Sequence, residues 1–238
     1  MAQPSRPRAL SVLALVLVAP VLLAACGGGD TKKAAAQTPA EAMRTAKKHF
    51  DDASSVHIAL TTDSTPSSGN GVLGANGDVT HAPAFEGDVK VVLSGLTATV
   101  PITSVGGKVY AKLPLATGYA VIKPSEYGAP DPAHFADPRN GLSALLTRLE
   151  GLERGKQTRS ADTILTSYSG TLPGAAVKGI IPSAVAKQTY RTTVGVDEKG
   201  YATTVQVTGP FFTGGQDVTY DVKFSEYGKG VEITAPTS

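Results

Sequence analysis

The chain has 238 residues, with 22 Lys and Arg against 20 Asp and Glu, one cysteine and no tryptophan. Arg6 and Arg8 are the only charges before Cys26, so the rest is formally neutral, which argues against a nucleic-acid partner that would need a basic footprint. A lone thiol allows neither an internal disulfide nor a cysteine-based metal site, and about 200 residues suffice for one large β-rich domain or two small ones, held by the core alone.

The first 25 residues have the layout of a secretory signal peptide. The short basic start is followed by the apolar run "LSVLALVLVAPVLL" (10–23), then Ala24 and Ala25. A membrane span needs about 20 apolar residues, and Pro20 interrupts this shorter run. "LAAC" followed by glycine resembles the lipobox of bacterial lipoproteins. That resemblance implies cleavage before Cys26, a diacylglycerol on its sulfur and an acyl chain on its amine. It also implies lipid anchoring at the extracytoplasmic face of the cell membrane. Two or three acyl chains, at about 0.8 kcal/mol per buried CH₂, hold a protein stably where one does not. Residues 26–37 lack apolar periodicity and read as a tether of up to about 40 Å.

The folded domain is expected over 38–238. "TPAE" offers Thr38 as N-cap, Pro39 at the first helical position and Glu41 to complete a capping box. Met43, Ala46, Phe50 and Ala53 then recur on one face, so a helix is predicted over 38–53. Strand patterns follow. Val56, Ile58 and Leu60 alternate on one side, as do Val89, Val91 and Leu93, and later Val100 and Ile102. Asn-Gly pairs at 70–71 and 76–77 and the glycines at 106–107 read as turns in an antiparallel meander.

The middle of the chain changes character. After the Pro-rich loop "KPSEYGAPDPAHFADPRNG", Asp137 and Pro138 offer a second helix start, and Leu142, Leu145, Leu146 and Leu149 form an i, i+3, i+4, i+7 stripe. "PGAAVKGIIPSAVAK" is a third helical candidate, with Val177, Ile180, Ile181, Ala184 and Val185 on one face and Pro182 dividing it. Residues 188–234 return to strands. The expected order is helix, strands, helices, strands, in one α+β domain.

Catalytic and cofactor patterns are weak. "GNGVLG" (69–74) spells G-x-G-x-x-G, but Asn76-Gly77 arrives where a nucleotide-binding fold would be running its helix. His49, His57, His81 and His134 are scattered without metal-ligand spacing, and no G-x-S-x-G elbow occurs. No catalytic residue, metal or cofactor is assigned, and an enzyme is not expected. The two apolar stripes read most simply as core over a sheet. Aromatics are only 6% of the chain and the strands are rich in Val, Thr, Ala and Gly, so an interior left unfilled is the other reading.

Four features together resemble the actinobacterial LppX/LprAFG lipoprotein family: the lipobox, "TPAEAMRTAKKHF", "DPAHFADPRNGLSALLTRLEG" and "VTYDVKFSEYGKGVEITAP". The resemblance implies a strongly curved antiparallel β-sheet, a half-barrel similar to the LolA and LolB carriers, with helices on its concave face enclosing an apolar cavity. It implies a non-covalent acylated lipid or glycolipid as ligand, carried from the plasma membrane towards the outer envelope. A membrane lipid transporter is then a candidate partner. The expected lining is Leu142, Leu145, Leu146, Leu149, Val177, Ile180 and Ile181 from the helices. Ile58, Leu60, Val89, Val91, Leu93, Val100 and Ile102 are expected from the sheet. The alternative is an anchored interaction module with a filled core that assists a transporter.

Overall fold

The computed structural model describes residues 37–65, 70–93, 95–160, 163–212 and 216–237; the expected signal peptide and Cys26 lie outside them. The first helix, α1 (Pro39–Asp52), starts as its sequence dictates. The Thr38 hydroxyl accepts from the Glu41 amide, and the Glu41 carboxylate accepts from the Thr38 amide at 2.9 Å. Ala42, Met43, Ala46 and Phe50 form its buried face.

Eleven strands make one antiparallel sheet. The first six are β1 (Ser55–Thr61), β2 (Gly71–Thr80), β3 (Ala84–Leu93), β4 (Leu96–Val105), β5 (Lys108–Ala111) and β6 (Ala120–Ile122). The remaining five are β7 (Glu150–Ser160), β8 (Thr163–Pro173), β9 (Thr189–Asp197), β10 (Ala202–Gly209) and β11 (Val218–Ser225). Each set is a meander, and the two are joined by β1 pairing with β11, so the spatial order is β6-β5-β4-β3-β2-β1-β11-β10-β9-β8-β7. The outer strands β6 and β7 do not pair with each other, so the sheet is an open one.

This topology dictates a cover. The chain leaves one outer strand, β6, and must reach the other, β7, so residues 123–149 have to cross the sheet. They do so through two 3-10 turns (Pro124–Tyr127 and Pro132–Ala136) and the short helix α2 (Leu142–Leu146), with the second turn lying against β2, β3 and β4. A further short helix, α3 (Gly174–Lys178), stands between β8 and β9.

Several expectations are corrected. Asn76-Gly77 is no turn but the middle of β2, where Gly77 faces Gly87 of β3. A Cβ on Gly77 would lie 2.3 Å from the Glu86 carbonyl oxygen and 2.8 Å from the Gly87 Cα, so the pair lets the two backbones close on each other as the sheet bends. A bulge between Val72 and Gly74 bends the same strand further. The leucine stripe is helical only from Leu142 to Leu146. The Asp137 carboxylate caps the turn at Arg139 and Asn140 rather than a helix, and Leu149 lies beyond the helix end. The third helical stretch ends at Lys178 and continues as turns, leaving Val185 exposed. Finally, the hairpin β7–β8 separates α2 from α3, where no strand was expected. β7 is exposed at every position but the half-buried Leu152, its one large apolar residue, so no alternation marks it.

Candidate functional site

The concave face of the sheet and the crossover enclose an apolar cavity of about 190 Å³, partly open to solvent. Its walls follow from strand periodicity. On β3 the inward row is Phe85, Val89, Val91 and Leu93, and the paired positions of β4 place Val100 and Ile102 on the same side. Ile58 and Leu60 continue the wall on β1, and Tyr220, Val222 and Phe224 on β11. Leu142, Leu145, Leu146 and Leu149 close the cavity from the crossover, with Val177, Ile180 and Ile181 beside them. The structure thus places every residue of the expected lining in the wall of a single cavity.

Other lining residues escaped the sequence reading. Tyr220, Val222 and Phe224 alternate in "VTYDVKFS", a stretch read as strand, and that alternation would have marked them as wall. Val109, Ile122, Leu113, Pro124 and Tyr127 line the cavity from strands and loops too short to show a period. Phe135 comes from the Pro-rich loop, where no regular element was expected.

The wall carries no Asp, Glu, Lys, Arg or His side chain among the described residues. Two of its polar side chains are turned to protein partners. The Tyr220 hydroxyl donates to the Val72 carbonyl at 2.6 Å, and burial pushes that phenol well above the ordinary tyrosine range. Thr192 donates to the Tyr190 carbonyl at 3.3 Å. Such a surface offers area and shape to an apolar guest and no acid–base pair for chemistry on it.

Polar contacts outside the cavity hold its cover. The buried Ser104 hydroxyl on β4 donates to the Asp131 carboxylate at 2.5 Å, and that carboxylate accepts the Ala133 amide at 3.0 Å. Lys47 of α1 reaches Asp51 and the Pro138 carbonyl, each at 2.5 Å, while the Ser143 hydroxyl donates to Asp51 at 2.6 Å. The Tyr190 hydroxyl accepts the Val185 amide at 2.7 Å and donates to the Pro210 carbonyl at 2.9 Å, fixing the turn after α3.

Aromatic side chains cluster at both ends of the cavity. At the end where β1 begins, Phe50 packs edge-on against His81, Phe224 and Tyr227, with ring centroids 6.1, 5.4 and 6.2 Å away. His49 is stacked on Tyr201 at 4.2 Å rather than turned to solvent. At the opposite end the lining reaches Gly71, Val72, Leu93 and Leu113, and there Tyr220, bonded to Val72, packs edge-on against Phe211 with ring centroids 4.7 Å apart. On the sheet, His57, Asp78 and Glu226 bring three ligand-type atoms within 4.8 Å of one another. These atoms already have protein partners: His57 Nδ1 lies 2.8 Å from Asp78, and Lys229 donates to Glu226 at 2.6 Å.

A family model described as LppX_LprAFG lipoprotein matches residues 38–233. Among solved structures, LprF from Mycobacterium bovis is similar at TM-score 0.69 and 17% identity, over 84% of this chain and 97% of that one. The lipoprotein LppX from Mycobacterium tuberculosis is similar at TM-score 0.61 and 18% identity, over 82% and 98%. A LolA superfamily protein from Nitrosomonas europaea reaches only 0.30 at 7% identity, over 79% and 92%, too low to equate the two folds. No curated protein sequence matches the chain. Within the described residues no helix is long and apolar enough to cross a membrane.

Proposed function

Since the chain belongs to the LppX/LprAFG lipoprotein family, we propose that its cavity binds the acyl chains of a lipid or glycolipid and carries them from the cell membrane towards the outer envelope. The observation that carries this reading is a wall built of aliphatic and aromatic side chains from both the sheet and the crossover, with no charged side chain among the described residues. A 16-carbon chain drawn from a bilayer into water costs about 12 kcal/mol at ~0.8 kcal/mol per CH₂. A carrier needs an apolar lining to offset that cost and needs no catalytic group. In this reading residues 1–25 are removed as a signal peptide. Cys26 then carries a covalent diacylglycerol and an N-acyl chain, and residues 26–37 tether the domain at the extracytoplasmic face of the membrane.

The cavity volume qualifies the ligand. About 190 Å³ is below the roughly 300 Å³ at which small-molecule pockets begin. A lipid with several acyl chains therefore needs the cover to move outward, or its chains to project out of the cavity. The same small volume favours the second reading, an accessory module for a membrane transporter. Native mass spectrometry of the protein purified from its own host separates the two. Co-purifying acylated lipid supports the carrier, and a lipid-free chain excludes it.

A further inference from the structure

We propose that acyl chains enter and leave the cavity beneath residues 124–130, a flap that swings on Gly128 while the rest of the crossover stays pinned to the sheet and to α1. The proposal rests on reading the cavity as a lipid site and adds the gate through which a lipid passes.

The two halves of the crossover are held differently. In the second half the Asp131 carboxylate is bonded to Ser104 of β4, the Pro138 carbonyl to Lys47 of α1, and Ser143 to Asp51 of α1. Pro132, Ala133, Ala136, Ala144 and Leu146 are buried there. In the first half no residue of the turn Pro124–Tyr127 is buried. Pro124, Tyr127, Ala129 and Pro130 nonetheless line the cavity, and Tyr127 is also 37% exposed. Lining residues are here at the surface themselves, so this short run of chain separates the cavity from solvent.

Hydrogen bonding decides which half moves. Among the described residues, every hydrogen bond made by 124–130 stays within 123–130. The Glu126 amide donates to the Lys123 carbonyl at 3.0 Å, the Gly128 amide to the Ser125 carbonyl at 3.2 Å, and the Ala129 amide to the Pro124 carbonyl at 3.1 Å. The turn therefore keeps its shape as a unit and swings out without breaking a bond to sheet or helix. It gives up apolar contact with the lining, which an entering acyl chain restores. Displacing the second half would instead break the Ser104, Lys47 and Ser143 bonds and leave buried groups unpaired. Local opening takes the segment with the fewest such ties.

Both ends of the flap suit a hinge. Upstream it hangs from β6, an outer strand of three residues with Ala120 and Val121 exposed. Downstream lies Gly128, the one glycine of the segment, with a φ of 69° and open space where a Cβ would stand. It has no side chain to resist rotation out of the left-handed region as the flap swings.

Gly128→Ala provides the test, because a Cβ strains the left-handed conformation of the closed flap without touching a neighbour. The full chain is mixed with phosphatidylcholine vesicles carrying a pyrene-labelled acyl chain, and transfer to the protein is timed. G128A is expected to load about five- to thirtyfold faster. Gly107→Ala, equally left-handed at φ 71° but in the β4–β5 turn, leaves the rate unchanged. Nitroxide pairs then locate the movement. Cys26 is acylated in this reading, so only introduced thiols take the label. One pair joins Ser125→Cys on the flap to Lys223→Cys on the outer face of β11, and the other joins His134→Cys on the pinned half to the same K223C. Loading lengthens the first distance and leaves the second as it was. Equal acceleration by both alanines, or none by G128A, overturns the proposal. Two distances that change together mean that the cover moves as one piece and overturn it as well. Uptake with neither distance changed places the entry elsewhere, with the carrier reading intact. An unaltered chain that takes up no labelled lipid defeats the carrier reading, and the gate with it.

Discussion

The Ser104 hydroxyl, fully buried on β4, donates to the Asp131 carboxylate at 2.5 Å and so pins the cover of the cavity to the sheet beneath it. Asp131→Ala removes that acceptor and the cap of the following 3-10 turn together. The stranded hydroxyl costs about 1–3 kcal/mol. Urea denaturation is expected to show a loss in that range, and hydrogen exchange should quicken over 131–146 more than in β1 or β11. Uniform exchange changes would mean that the contact does not hold the cover.

Val89→Trp should fill the cavity without undoing the fold. Val89 faces inward opposite Val100 and is only half buried, so an indole has free volume to enter rather than neighbours to displace. Thermal denaturation should shift little, while transfer of a fluorescent phospholipid from vesicles to the protein falls at least about tenfold, the equivalent of ~1.4 kcal/mol. Unchanged transfer would place the ligand elsewhere.

The close approach of β2 and β3 gives a stability prediction. With Gly87→Val, a Cβ would stand 2.3 Å from the Asn76 carbonyl oxygen and 2.5 Å from the Gly77 Cα, both backbone atoms that cannot swing aside. A cost of about 3 kcal/mol is expected, the upper end for overpacking, measured by chemical denaturation. Gly107→Ala, where added atoms meet open space but φ is 71°, serves as a comparison and should cost less.

High pH should weaken the fold in a defined window. Burial raises the phenols of Tyr220 and Tyr227 far above the usual value of 10. In the unfolded chain these groups ionise near pH 10, while in the folded chain they keep their protons. Their stabilisation is therefore complete below pH 10 and is lost as pH rises from there towards the folded-state values. The slope is about 1.4 kcal/mol per pH unit for each tyrosine. Urea midpoints at pH 9 and pH 11 check it. Tyr227→Phe should flatten the slope by about half, because Tyr220 remains.

The sequence made some parts of this molecule legible and concealed others for physical reasons. α1 was readable because capping and the apolar face agree at Thr38, Glu41, Met43 and Phe50. The wall residues of β1, β3 and β4 were readable because a sheet wet on one face writes an alternation into its strands. β7 was not readable, since Leu152 alone turns to the core and a single apolar residue writes no alternation. The leucines at 142–149 had helical spacing because both a helix and a turn following it present them to one cavity, and spacing alone does not separate the two. Asn76-Gly77 misled because glycine is used there for its missing Cβ rather than for a positive φ. The cover as a whole was hidden in the strand order, which no single segment of sequence reveals.

That strand order also governs how the molecule comes into being. The centre of the sheet is the ladder His57 to Ser225 and Thr61 to Asp221, between the first strand and the last. Ribosomal synthesis delivers β1 before any other strand, yet its second neighbour, β11, follows all the rest. Until β11 arrives, β1 is a bare edge and the two meanders remain separate halves, each with its apolar face uncovered. Ordering must then close the longest loop in the domain, a topology associated with slow folding. A chain truncated before residue 218 thus loses the seam between the halves rather than a trailing appendage.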